Sequence, residues 1–328
     1  MLDRYFPIYI LAFLLTMLLT AILERLIIPY LKKKAKQPIY EEGPRWHVKK
    51  SGTPTMGGIG FLFASLITLL LCSMFLFFFV SKKDSLSLLI GLLFALANAL
   101  IGIIDDRKKL AHKKNQGLTP KQKLVLQISV SVLFLMARKF LLSDTTKMSF
   151  SFGEVDFGFF YYPICIFLLV GLINSANLTD GIDGLASSVA FSIGISLFYV
   201  SASLNVESSI ISATVIGAAV GFLFFNLHPA KIFMGDTGSL FFGAIISSVA
   251  FSLNNPLLLL FVSGVYIIEG ASVVLQVSFY KLTHRRIFKM APIHHHLEKC
   301  GYSENRICII AMITTFILSV PAYIFYLP

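Results

Sequence analysis

The chain has 328 residues, of which 56% are hydrophobic and only 14% are charged, with 31 Phe. A water-soluble protein of this length needs far more charge on its surface, so a soluble globular enzyme is excluded. The net charge of +11 is gathered in a few loops, which in a membrane chain marks one face of the bilayer rather than a nucleic-acid partner.

Ten apolar stretches are predicted, near 7–30, 57–80, 86–104, 123–142, 159–176, 186–202, 208–225, 238–253, 256–280 and 307–327. Most approach the length of about 20 residues that crosses hydrocarbon as a helix. Lipid offers the backbone no hydrogen-bond partner, so these stretches are expected to be helices, and the alternation of a membrane barrel is absent. The first stretch is too long for a removable signal and reads as a retained helix. The expected fold class is an all-α integral membrane protein, one polytopic domain over 1–328, without internal repeats. Cys72, Cys165, Cys300 and Cys308 show no ligand spacing and read as small apolar fillers, with no disulfide expected.

Most of the 28 basic residues lie in the first, third and ninth loops, including Lys36, Arg45, Lys49, Lys113 and Lys114. Ten spans put these loops on one side, and the positive-inside rule makes that side cytoplasmic, with both termini outside. The polar motifs fall in the five loops of the same side.

In the first loop, Lys50 precedes Gly52-Thr53-Pro54-Thr55-Met56-Gly57-Gly58, where lysine charge, hydroxyls and backbone N–H groups suit an anion. It is not a Walker loop, because the Lys precedes the glycines. Asp105-Asp106 is expected at the C-terminus of the third helix, where the macrodipole and mutual repulsion disfavour two carboxylates. Either a cation or a reaction uses them, or Arg107, Lys108 and Lys109 neutralise a solvated helix end. Asn177-Leu178-Thr179-Asp180-Gly181-Ile182-Asp183 carries two carboxylates three apart, a spacing that places both on one face of a helical turn. The alternative is a capped turn between two membrane helices. In residues 226–236, Asp236 sits beside Gly235, Thr237 and Ser239, which suits a phosphate–metal corner, and Phe233 either stacks on a flat base or packs at the membrane interface. The ninth span is expected to be bent or broken around Gly264 and Gly270, with an intramembrane Glu269 that can also be a plain contact between helices. His294-His295-His296 cannot all face one metal from a regular helix, and two of them suit a phosphate better than a structural metal. Four aspartates and several lysines on one face point to Mg²⁺ and phosphoryl chemistry.

Together these segments resemble the phospho-N-acetylmuramoyl-pentapeptide transferases (MraY translocases) of the polyprenyl-phosphate N-acetylhexosamine-1-phosphate transferase superfamily. The resemblance covers essentially the whole chain and is carried by residues 50–58, 177–185, 233–239 and 290–296. It implies transfer of phospho-MurNAc-pentapeptide from UDP-MurNAc-pentapeptide to undecaprenyl phosphate, giving lipid I and UMP, with Mg²⁺, in peptidoglycan synthesis. It implies Asp236 as the metal ligand, Asp105 and Asp106 as a catalytic pair, and Asp180 and Asp183 in the same cleft. It places Lys50, Thr55, Asn177, Gly181, Asn226, Phe233 and Gln276 on the nucleotide side. His294 and His295 fall near the sugar-phosphate or the nucleoside inhibitors of the family, His296 counts among the substrate-binding residues, and Lys109 and Lys123 match basic positions of the third loop. Arg107 departs from the pattern, an aromatic being common there. A homodimer, membrane lipid as a partner, no nucleic acid and a bacterial inner-membrane location follow from the same resemblance. Two other readings are a sibling transferase using UDP-N-acetylglucosamine and, more remotely, an ion transporter, which should place its acids near mid-bilayer.

Overall fold

The computed structural model describes residues 2–35, 50, 52–112 and 117–326. Lys36, Arg45, Lys49, Lys113 and Lys114 of the basic loops lie outside them. Among the described residues the chain is a helical bundle with one small hairpin. In chain order the helices are α1 (Leu2–Lys34), α2 (Gly58–Phe79), α3 (Lys82–His112), α4 (Pro120–Leu142), α5 (Tyr161–Thr179) and α6 (Leu185–Ser201). They continue as α7 (Val206–Asn226), α8 (Gly235–Ser252), α9 (Leu259–Val262), α10 (Gly264–Thr283), α11 (Ile293–Lys299) and α12 (Glu304–Tyr326). Strands β1 (Lys147–Phe150) and β2 (Gly153–Asp156) pair antiparallel in the loop after α4, which the sequence pattern did not reveal. Eight of these helices are long and apolar enough to cross a membrane, and α6 is a shorter apolar helix. Large apolar side chains such as Phe79, Phe140, Phe167 and Leu282 stay exposed, an outer surface that suits lipid and not water.

The bundle is built around α8. Every residue from Asp236 to Ser252 is buried. A helix hidden by its neighbours needs no apolar outer face, and its Gly, Ala and Ser residues let other backbones come close. It packs against α2, α3, α5 and α7, and the Phe242 ring stacks on Phe61 of α2 at 4.5 Å. A Cβ at Gly102 on α3 would collide with the Asp236 carbonyl, so glycine there sets how near α3 comes to the start of α8.

The ninth span is broken as expected. A short 3-10 turn at Pro256–Leu258 leads into α9, and α9 gives way at Ser263 to α10. The third helix corrects its expectation. It runs two turns past the apolar stretch to His112, so Asp105 and Asp106 lie inside α3 and not at its C-terminus. The macrodipole argument for that pair therefore fails, and its stabilisation comes from another helix.

Candidate active site

Asp106 meets the N-terminus of α8. Its Oδ1 accepts from the Asp236 N–H at 3.1 Å, and its Oδ2 accepts from the Thr237 N–H and hydroxyl at 2.9 and 2.7 Å. A helix N-terminus offers unpaired N–H groups and partial positive charge, so a carboxylate from another helix is stabilised there. Asp105 faces a different environment. Its Oδ1 accepts from the Leu118 N–H at 2.7 Å, and Lys109, one turn along α3, reaches its Oδ2 at 2.6 Å. The two neighbours in sequence thus have separate tasks: Asp106 ties α3 to α8, and Asp105 faces the lysines.

Asp236 is the hub. Lys109 approaches its Oδ1 at 3.0 Å and Lys123, from the first turn of α4, its Oδ2 at 2.7 Å. Asn177 donates its amide to Asp236 at 3.1 Å and to the Ser239 hydroxyl at 2.8 Å, and accepts from Lys123 at 3.0 Å. Asp105, Asp106 and Asp236 are all buried, and each offers an oxygen within 4.8 Å of the others, a group that can hold a metal ion. Three carboxylates against two ammonium groups leave an excess of negative charge, which favours a further cation.

Asp180 and Asp183 differ from their expected common face. Helix α5 ends at Thr179, so the two acids lie in a turn and serve different neighbours. Burial first, then the carboxylates of Asp236, Asp106 and Asp183, push the Asp180 carboxyl well above the usual carboxylate range. Asp183 turns to a second cluster. Its Oδ1 receives Lys50 at 2.7 Å, while its Oδ2 pairs with His228 Nδ1 at 2.9 Å and accepts from the Ala230 N–H at 3.0 Å. Glu304, which opens α12, holds the same lysine at 2.6 Å and the Asp183 N–H at 2.7 Å. Neither Glu304 nor His228 was singled out by sequence reasoning. Glu304 stands far along the chain from Asp183, with no local motif to mark it.

The three histidines face three ways. His294 is fully buried, with Nδ1 at 3.0 Å from Glu269 Oε2. Its Nε2 has no partner among the described residues, and a Cβ at Gly181 would strike it, so glycine lets the Asp180 turn lie against the imidazole. His295 Nδ1 lies 2.6 Å from Glu298. His296 Nδ1 accepts from the Lys289 N–H at 3.1 Å. Glu269 is thus the polar contact between helices that its position allowed, and it fixes α11 against α10.

The remaining positions brace loops. Asn226 accepts from the Gly184 N–H at 3.1 Å and donates to the Ile232 carbonyl at 2.9 Å, tying the start of α6 to the segment before α8. Gln276 accepts from the N–H groups of Ile287 and Phe288 at 3.1 and 2.9 Å. Phe233 is half-buried, and its backbone pairs with Pro54 and Gly57 at 2.9 Å each, which holds the Thr55 segment beside α8. Thr55 itself is buried.

Residues 50–62 match the phospho-N-acetylmuramoyl-pentapeptide-transferase signature 1, and residues 88–254 match the model of glycosyl transferase family 4. The latter match runs from α3 to just past α8 and so contains both helices of the aspartate cluster. A relative from Halalkalibacterium halodurans bearing the name phospho-N-acetylmuramoyl-pentapeptide-transferase is 44% identical over 94% of each chain. The chain belongs to the phospho-N-acetylmuramoyl-pentapeptide-transferase family. Relatives of the same name from Staphylococcus haemolyticus, 44% identical over 92% of this chain and 93% of theirs, and from Clostridium perfringens, 39% identical over 97% and 98%, agree. The similarity to these relatives spans almost the full length of the chain.

Proposed function

We propose that this protein transfers phospho-MurNAc-pentapeptide from UDP-MurNAc-pentapeptide to undecaprenyl phosphate, releasing UMP and forming lipid I. The observation that carries the reading is the meeting of Asp105, Asp106 and Asp236 with Lys109 and Lys123 at one end of a lipid-facing bundle. Phosphoryl transfer asks a protein mainly to align its reactants and neutralise charge. The whole chain acts as one unit in a bacterial inner membrane, with these loops cytoplasmic and both termini outside, as the basic loops favour. A homodimer is the expected assembly.

The residues at the hub fit Mg²⁺, which takes hard carboxylate oxygens together with substrate phosphates. When bound there by Asp236 with Asp105 and Asp106, it supplies charge neutralisation along the donor's diphosphate. Lys109 and Lys123 hold the donor's phosphates, and Lys50 serves the nucleotide side with Asn177 and Phe233. Asp105 orients the lipid phosphate for direct in-line attack on the phosphate that bears the sugar. A phosphate monoester has its second pKa near about 6, so it is mostly dianionic at neutral pH and needs little help from a base. His294 keeps Nε2 toward the Asp180 turn, on the sugar-phosphate side.

The test is UMP release by purified protein given undecaprenyl phosphate, Mg²⁺ and either UDP-MurNAc-pentapeptide or UDP-N-acetylglucosamine, beside Asp236→Ala. Release with the first donor alone, lost in the variant, is expected. Release with the second donor alone would assign the chain to the sibling transferases. UMP appearing without the lipid acceptor would replace direct attack by a covalent sugar-phosphoryl enzyme.

A further inference from the structure

Helix α1 carries Thr16, Thr20 and Glu24 among apolar neighbours. Their four-residue spacing puts them on one face of the helix. All three side chains are fully buried. This face packs on α2, which runs antiparallel to it. The hydroxyls of Thr16 and Thr68 meet at 3.0 Å, and eight residues along each helix a Cβ at Gly60 would strike Glu24 Oε1. Thr20 is thereby level with Ala64 and Ser65 of α2.

Thr16 and Thr68 satisfy each other, but the rest of the row does not. Both carboxyl oxygens of Glu24, the Thr20 hydroxyl and the Ser65 hydroxyl are buried without a hydrogen-bond partner among the described residues. The start of α2 does not cap the carboxylate, because the N–H groups of Gly58, Ile59 and Gly60 donate to the carbonyls of Met234, Met56 and Gly57. A buried polar group without a protein partner calls for an ordered water or an ion. An ionisable side chain inside a membrane helix is costly, and its usual reason is a bound partner.

The donor set decides which partner fits. Neither hydroxyl is within hydrogen-bond reach of the carboxylate, so whatever joins them stands between them. A water leaves the buried charge unbalanced. A proton neutralises Glu24 but serves one oxygen and leaves the hydroxyls unmet. A monovalent cation balances the single charge and takes all four oxygens, whereas a divalent one would leave a buried positive excess.

We propose that Glu24, Thr20 and Ser65 form a buried Na⁺ site between α1 and α2. The ion fastens α1 to the first turn of α2. Just before that turn, the Gly57 and Gly58 N–H groups hold the Phe233 and Met234 carbonyls at 2.9 and 3.0 Å, which keeps the Thr55 loop beside α8. The site is made by residues apart from the aspartate cluster and does not depend on the transferase reading.

The experiment uses the full chain in detergent, without nucleotide. Binding of radioactive Na⁺ is measured by equilibrium dialysis, and the thermal midpoint is titrated with NaCl against choline chloride at constant ionic strength. The wild type is compared with Glu24→Gln and Thr20→Val, both close in shape to the native side chains. Saturable binding of one Na⁺ per chain is expected, with a midpoint that rises with Na⁺ and stays flat in choline, as for any ligand held by the folded state alone. Glu24→Gln is expected to lose both effects. Thr20→Val is expected to weaken Na⁺ about tenfold, the change that roughly 1.4 kcal/mol makes. A wild-type midpoint that is equal in the two salts, with no bound Na⁺, would overturn the proposal in favour of a protonated or hydrated Glu24. An undiminished Na⁺ response in Glu24→Gln would overturn it too, by placing the ion elsewhere. Should Glu24→Gln fail to fold, Thr20→Val decides, and wild-type Na⁺ affinity in that variant sinks the site.

Discussion

The two ends of α8 solve the same electrostatic problem with opposite signs and different outcomes. At its N-terminus the Asp106 carboxylate takes the exposed N–H groups. At its C-terminus Arg138 of α4 donates to the Phe251 carbonyl at 2.9 Å. Anion at the N-terminus and cation at the C-terminus is the arrangement the helix dipole favours. The Arg138 end closes on itself, because the guanidinium also binds Asp144 at 2.6 Å and reaches the hydroxyls of Ser87 and Ser252. Asp144 pairs with that cation, and the buried Glu207 carboxyl lies beside the same two serines. The Asp106 end gathers three buried aspartates against two lysines. A closed network holds a structure together, and an unbalanced one is competent to bind.

This contrast can be broken from either side. The largest expected effect is on turnover, at the unbalanced end. Asp105→Asn should lower kcat by roughly 10²–10³-fold, the range for losing a group that acts on developing charge. The thermal midpoint should hardly move, since the variant keeps the shape and the acceptor for Leu118. A large drop in midpoint with normal kcat would reverse the division of labour between Asp105 and Asp106. At the closed end, Arg138→Met strands Asp144 and should cost about 3–5 kcal/mol of stability. It should leave the KM for donor near wild type in whatever protein remains folded, and a raised KM would show that the far end of α8 is coupled to the site. The smallest effect belongs to Asp106→Ala, which leaves N–H groups of α8 without an acceptor at about 1–3 kcal/mol. It should lower the thermal midpoint and turnover together, and an unchanged midpoint would show that Asp106 is not the anchor of α8.

Much of the fold was legible because lipid imposes a simple rule: apolar stretches of sufficient length become helices. The ten predicted stretches correspond to α1–α8, to the broken α9–α10 and to α12, with most ends shifted by a few residues and that of α3 by two turns. The break near Gly264 was readable from a long span with two glycines and an acid. The hairpin after α4 and the seven-residue α11 escaped, because short elements carry too few residues to display a period.

The site was legible as a set of residues but not as an arrangement. Asp236 and the Asp105–Asp106 pair stand out as carboxylates in polar loops, the family resemblance adds Lys109, Lys123 and Asn177, and the structure brings them together. Their individual tasks were hidden. Nothing local tells that Asp106 belongs to the N-terminus of α8 or that Asn226 is occupied with backbone groups of two loops. Glu304 and His228 have no motif, and only the packing of α12 beside the Asp183 turn gives them a role.

The sequence by itself determined the class of solvent, the helical architecture and the chemical character of one face, since those depend on hydropathy, length and charge summed along the chain. Only the tertiary structure decided which carboxylate anchors a helix, which faces a lysine, and which histidine is buried against Glu269. Those roles depend on donors brought by other helices, and a hydrogen bond is set by distance in space and not by separation along the chain.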